Sequence, residues 1–92
     1  MNPVDSRVQA AIRRVLALRG MVISPFTLME FATMLKAVGC GDDELAVESA
    51  ASILAPAFKK AGLHEPLKEA RSVVKEIVEA VFGDECSEAR QA

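Results

Sequence analysis

Residues 25–38, PFTLMEFATMLKAV, are predicted to form a helix that is apolar on nearly every side. Its principal face carries apolar residues with the i, i+3, i+4, i+7 spacing of one side of a helix, namely Leu28, Phe31, Ala32 and Leu35. Other apolar residues project away from that face: Phe26, Met29, Met34 and Ala37. A helix of this kind has to be covered on more than one side. We therefore expect it to be the central helix of a bundle or one half of a subunit interface.

The size and composition of the chain favour a single helical domain. Its 92 residues suffice for one modest core. The hydrophobic content is 51%, but aromatic residues contribute only 4% and all are Phe, so the core has to be built from aliphatic side chains. Charged residues interrupt every apolar stretch before it reaches the ~20 residues that a membrane span needs. The chain is expected to be soluble and cytoplasmic, and its frequent Arg and Ala suggest a bacterial protein.

Local signals place the first two helices. The first is predicted to run from about residue 5 to residue 18, with Asp5 or Ser6 as the N-cap and Gly20 after its end. The second begins at the Ser24-Pro25 pair, where Ser supplies a capping hydroxyl and Pro lacks the amide that would be left unpaired. The glycines at 39 and 41 are expected to end it.

Two more helices follow. The third is predicted over about residues 43–61, capped by Asp42 or Asp43, and is expected to kink or break at Pro56 because proline removes one backbone hydrogen bond. The fourth is predicted to begin at Pro66 and to end at Gly83. The sequence thus predicts an all-α fold, a small antiparallel bundle of about four helices, in which the fourth helix covers one side of the second.

The domain is expected to span residues 1–83. Residues 84–92, DECSEARQA, have no apolar period and are predicted to be a flexible, disordered tail.

Residues with chemical potential are few. Cys40 and Cys86 lie far apart without a CxxC motif, and both are predicted to be free thiols in a reducing cytosol. His64 is the only histidine, and it lies at a helix boundary, so a surface or capping role is expected rather than catalysis or metal binding. The acidic residues at 42–44 are interpreted as helix-capping groups. The sequence predicts no catalytic residue, metal site or cofactor, and therefore no enzyme.

The sequence favours a non-enzymatic helical module that binds proteins, such as an adaptor, an accessory subunit or an assembly factor. Methionine side chains adapt easily to a partner, and the second helix carries more apolar surface than one core requires. A homodimer is the expected assembly. The predicted interface, either exposed or buried in the dimer, consists of Phe26, Met29, Phe31, Met34 and Phe58.

A nucleic-acid-associated regulator is the alternative. The net charge is only −2, but the first helix is locally basic and offers a possible polyanion contact. Its arginines are Arg7, Arg13, Arg14 and Arg19. A helix-turn-helix formed by helices two and three is disfavoured, because its second helix begins with acidic side chains that would face phosphates.

Overall fold

The computed structural model of the protein describes the backbone of residues 6–91 and the side chains of residues 6–88. Four α-helices follow one another along the chain: α1 (Ser6–Leu18), α2 (Pro25–Val38), α3 (Glu44–Lys60) and α4 (Pro66–Gln91). Residues 6–91 contain no β-strand. The predicted all-helical class and the number of helices are confirmed.

Side-chain caps begin α2 and α3 where the sequence predicted them. The Ser24 hydroxyl accepts a hydrogen bond from the Thr27 amide at 3.1 Å, and Pro25 occupies the first helical position. A carboxylate oxygen of Asp43 accepts bonds from the amides of Leu45 and Ala46 at 3.0 and 3.3 Å. These bonds satisfy amides that have no partner inside the helix. Of the two residues expected to cap the first helix, Asp5 lies outside the described residues and Ser6 is the first residue of α1.

Glycines end α1 and α3 by the same backbone motif. After α1, the Met21 amide donates to the Leu16 carbonyl and the Gly20 amide donates to the Ala17 carbonyl, both at 2.9 Å. Gly62 and the residue after it make the equivalent bonds behind α3. Gly20 has a φ of 71°, a backbone conformation that side chains with a Cβ rarely adopt. This pairing of hydrogen bonds is the Schellman motif.

The core lies inside a closed ring of helix contacts. α1 packs on α2, α2 on α3, α3 on α4, and α4 returns to α1, with the most extensive packing between α3 and α4. The largest fully buried side chains come from all four helices: Ile12, Leu16, Leu28, Phe31, Leu35, Val47, Leu54, Phe58, Val73, Val74 and Ile77. The expected central position of the second helix is wrong, because α2 is buried on one side and its main neighbours are α1 and α3, not α4.

Pro56 lies within α3, and the helix continues through it without interruption. The predicted break is wrong, while a kink at this residue stays a prediction. Leu54 and Phe58, on either side of the proline, are both fully buried. Pro56 is exposed, and so is Ser52, whose carbonyl loses its helical hydrogen bond to the proline. That carbonyl therefore belongs to a residue in contact with solvent. Burial of both flanking side chains in one core therefore keeps the residues before and after Pro56 in a single helix.

Gly83 does not end α4, which continues to Gln91. The predicted helix end is wrong, and the residues expected to form a disordered tail are helical as far as Gln91. The cause is a contact that local sequence signals do not reveal. Cys86 is buried, with 3% of its surface exposed, and it is joined by a disulfide to Cys40 in the turn between α2 and α3.

Candidate interaction surface

The side of α2 that faces away from the core is exposed and poor in charge. Its residues are Phe26, Met29, Glu30, Thr33, Lys36 and Ala37, and we call this set the outer face of α2. The Thr33 hydroxyl donates to the Met29 carbonyl at 2.8 Å, so its proton already has a hydrogen-bond acceptor within the helix. Charge on the outer face is confined to Glu30 and Lys36.

An apolar groove of about 530 Å³ runs beside this face toward α3. It is lined by Phe26, Met29, Glu30, Thr33, Met34 and Ile53. Phe26 keeps 77% of its surface exposed and Met29 keeps 36%, whereas Met34 and Ile53 are half-buried and form the side toward α3. An exposed phenylalanine next to a methionine-lined groove is typical of a surface that contacts another molecule.

The predicted interface residues fall into two groups. Phe26, Met29 and Met34 come together at the groove. Phe31 and Phe58 are fully buried in the core and are unavailable to a partner while the domain is folded, so we correct the predicted interface by removing them.

Sequence reasoning missed Ile53, Glu30 and Thr33 as groove residues. The signal for Glu30 and Thr33 was their position opposite the core face of α2. Ile53 had no such signal, because its nearness to α2 depends on how α3 packs.

The four arginines predicted as a polyanion contact do not form one basic surface. Arg7 and Arg14 line a groove of about 440 Å³ between α1 and α4, where Asp84 brings an opposing charge. Arg13 borders a different, mostly apolar groove that contains Val22. Arg19 is engaged in an ion pair, with its Nη2 3.1 Å from Glu76 Oε1 on α4. A polyanion would thus meet cations divided between two grooves and an ion pair.

The acidic residues near the start of α3 have structural partners. Glu44 pairs with Lys75 at 3.4 Å and Glu48 pairs with Arg71 at 3.6 Å, both across the α3–α4 contact. Asp43 is the N-cap described above. His64 is exposed between α3 and α4, as expected for a helix boundary. Within the described residues, no group of three or more His, Cys, Asp and Glu side chains is arranged to hold a metal ion.

The cysteines overturn a prediction. Cys40 and Cys86 are not free thiols but form a disulfide, with their Cα atoms 5.7 Å apart across 46 positions of sequence. The helical extension of α4 past Gly83 brings Cys86 to the turn that carries Cys40. The expected reducing cytosol rested on reduced cysteines, and a disulfide removes that argument because such bonds persist mainly in oxidising compartments.

Comparison with protein-family models, curated proteins and solved structures finds no match to this chain. None of the helices in residues 6–91 combines the length and the apolar character that crossing a membrane demands.

Proposed function

We propose that the protein is a non-enzymatic interaction module that works as a homodimer, with the outer face of α2 and its groove as the contact surface. Such a module fills the role of an adaptor, an accessory subunit or an assembly factor. The observation that carries the proposal is the 77% exposure of Phe26 at the mouth of an apolar groove. Burying a side chain of this size contributes about 2 kcal/mol, and a two-fold interface would bury it twice.

A second copy fits this face because the charges on it are self-complementary. Glu30 and Lys36 lie three residues before and three residues after Thr33. If two α2 helices pack antiparallel about a two-fold axis at Thr33, each Glu30 comes opposite the partner's Lys36. The same register sets Met29 against the partner's Ala37, a large side chain against a small one. Both charge and size therefore favour a copy of this chain as the occupant.

Within each subunit we propose that the four helices run antiparallel, as the short connections between them favour. The nucleic-acid alternative gains no support from the arrangement of the four arginines in and directly after α1, of which Arg19 is paired with Glu76.

Light scattering behind size exclusion, repeated over a dilution series, tests the proposal. We expect a dimer at high concentration that dissociates on dilution, and a Phe26→Ser variant that is monomeric at concentrations where the unmodified protein is dimeric. Leu18→Ser is the matched control, because Leu18 is 79% exposed but does not line the groove. A monomer at every concentration, or equal loss of dimer in both variants, would overturn the proposal.

Charge exchange tests the identity of the occupant. Glu30→Lys should weaken the dimer by placing two cations opposite each other, and the Glu30→Lys/Lys36→Glu double variant should restore it. Restoration requires that both positions meet across the same interface. If the double variant is as weak as the single one, the register about Thr33 is wrong even where dimerisation persists.

A further inference from the structure

The last part of α4 lies beyond Gly83 and is held to the rest of the domain differently from the preceding turns. Phe82 still packs against the core. Among residues 84–88, Cys86 is the one buried side chain, and the other four are exposed. The buried anchor of this segment is therefore a residue joined to Cys40 by a covalent bond.

Gly83 is a weak point in the helix at the start of this segment. Glycine loses more backbone entropy in a helix than any other residue, and only proline is less favourable inside a helix. A helix therefore frays most readily from such a position. Gly83 has ordinary helical geometry here and not the positive φ that Gly39 and Gly41 adopt. Its presence is thus not required by the local backbone conformation.

The disulfide is open to reagents on one side. Cys40 is half-buried in a turn flanked by two glycines, and a groove of about 300 Å³ reaches both sulfur-bearing residues. Lys36 and Glu85 both line that groove, so a cation and an anion lie near the disulfide. Thiolates are the form in which thiols attack disulfides. Because Cys86 is 3% exposed, attack is expected at the Cys40 sulfur.

We propose that the Cys40–Cys86 disulfide is a redox-sensitive latch, and that its reduction by a dithiol releases the α4 segment beyond Gly83 while the core of the domain stays folded. One reductant thiolate attacks Cys40 Sγ, the S–S bond breaks, and Cys86 leaves as a thiolate that takes up a proton. The second thiol of the reductant then attacks the mixed disulfide and releases Cys40, which is also protonated. Two electrons pass from the dithiol, which becomes a disulfide, to the protein.

This latch rests on the disulfide and on Gly83 and does not require the proposed dimer, although Lys36 belongs both to the outer face of α2 and to the groove that reaches the disulfide. Digestion with a glutamate-specific protease, followed by mass spectrometry, tests it on the full chain with dithiothreitol as the dithiol. We expect cleavage after Glu85 to become at least tenfold faster on reduction. Cleavage after Glu48 and Glu69, which lie in α3 and α4 before Gly83, should change less than twofold.

Two variants sharpen the test. Cys40→Ser/Cys86→Ser should show the rapid Glu85 cleavage without any reductant, and adding reductant should not change it. Gly83→Ala should slow this cleavage in the reduced protein, because alanine strengthens the helix. The added Cβ would lie 3.1 Å from the exposed Glu79 carboxylate, which is the end of a flexible side chain and can move aside.

Each outcome decides the matter. Selective acceleration at Glu85 supports a latch. Unchanged cleavage at Glu85 after complete reduction means that other contacts hold the segment, and the latch is refuted. Equal acceleration at Glu48 and Glu69 means that the disulfide maintains the whole domain, which also refutes it.

Discussion

The guanidinium of Arg19, directly after α1, lies 3.1 Å from the carboxylate of Glu76 in the middle of α4. The two residues are 57 positions apart, and their ion pair joins the first helix to the last. Both side chains keep part of their surface in solvent, at 34% and 45% exposure.

This pair is expected to add little to stability. A partly exposed ion pair contributes about 0.5 kcal/mol, because water and salt screen it. A double-mutant cycle of Arg19→Ala and Glu76→Ala, followed by urea unfolding, should give a coupling free energy of that size. The coupling should fall toward zero in 1 M salt. A coupling that exceeds about 2 kcal/mol and resists salt would contradict this account.

The Asp43 cap is expected to contribute more to the free energy of unfolding than the Arg19–Glu76 ion pair. Asp43→Ala removes the carboxylate oxygen that accepts from the amides of Leu45 and Ala46. The expected loss in the free energy of unfolding is about 1 kcal/mol, measured by urea denaturation. Asp43→Ser keeps a capping oxygen and should recover most of that loss. Equal destabilisation by Ala and Ser would show that the negative charge, rather than the cap, matters at this position.

The starts and ends of most helices were predictable because their chemistry is local. The caps at Ser24 and Asp43 act on amides two or three residues later, and Gly20 and Gly62 close bonds within six residues. Both partners of such a bond lie close together in the sequence, so the bond can be predicted from a short segment.

The absence of a break at Pro56 and the continuation of α4 past Gly83 have the opposite origin. α3 persists through Pro56 because Leu54 and Phe58 are buried in the core. α4 persists through Gly83 to Cys86, whose disulfide partner is 46 residues away. Contacts of this range override local preference, and a single sequence does not display them.

The candidate surface was only partly predictable, because it too depends on contacts between helices. The sequence identified α2 as apolar on two sides, but it did not determine which side the rest of the chain covers. Phe31 and Phe26 are five residues apart on one helix, yet one is fully buried and the other is 77% exposed. Only the packing of α1 and α3 against α2 separates a core residue from a surface residue.

Pro56 offers a stabilising substitution. Pro56→Ala restores an amide that can donate to the Ser52 carbonyl, at an exposed position where the smaller side chain leaves no cavity. Alanine is favoured over proline inside a helix by about 3 kcal/mol, and the more flexible unfolded chain offsets up to about 1 kcal/mol. We expect a net gain of about 2 kcal/mol in urea unfolding. Pro66→Ala is the control, because Pro66 is the first residue of α4, where proline costs nothing, and no gain is expected there.

The disulfide is expected to stabilise the folded domain chiefly by restricting the unfolded chain. Closing a loop across 46 positions corresponds to about 4 kcal/mol in the chain-entropy account, and measured values are often lower. The Cys40→Ser/Cys86→Ser variant should therefore lose about 2–4 kcal/mol in urea unfolding.

A domain of this size has a total stability of about 5–10 kcal/mol, so the variant should remain folded at 25 °C. Its near-native circular dichroism, combined with a lower urea midpoint, is the expected result. That result is also what a redox latch requires, because releasing the end of α4 is useful only if the ring of helices survives the loss of the bond. A variant that is unfolded without denaturant would make the disulfide a condition of folding and would leave no reduced state for a latch to produce.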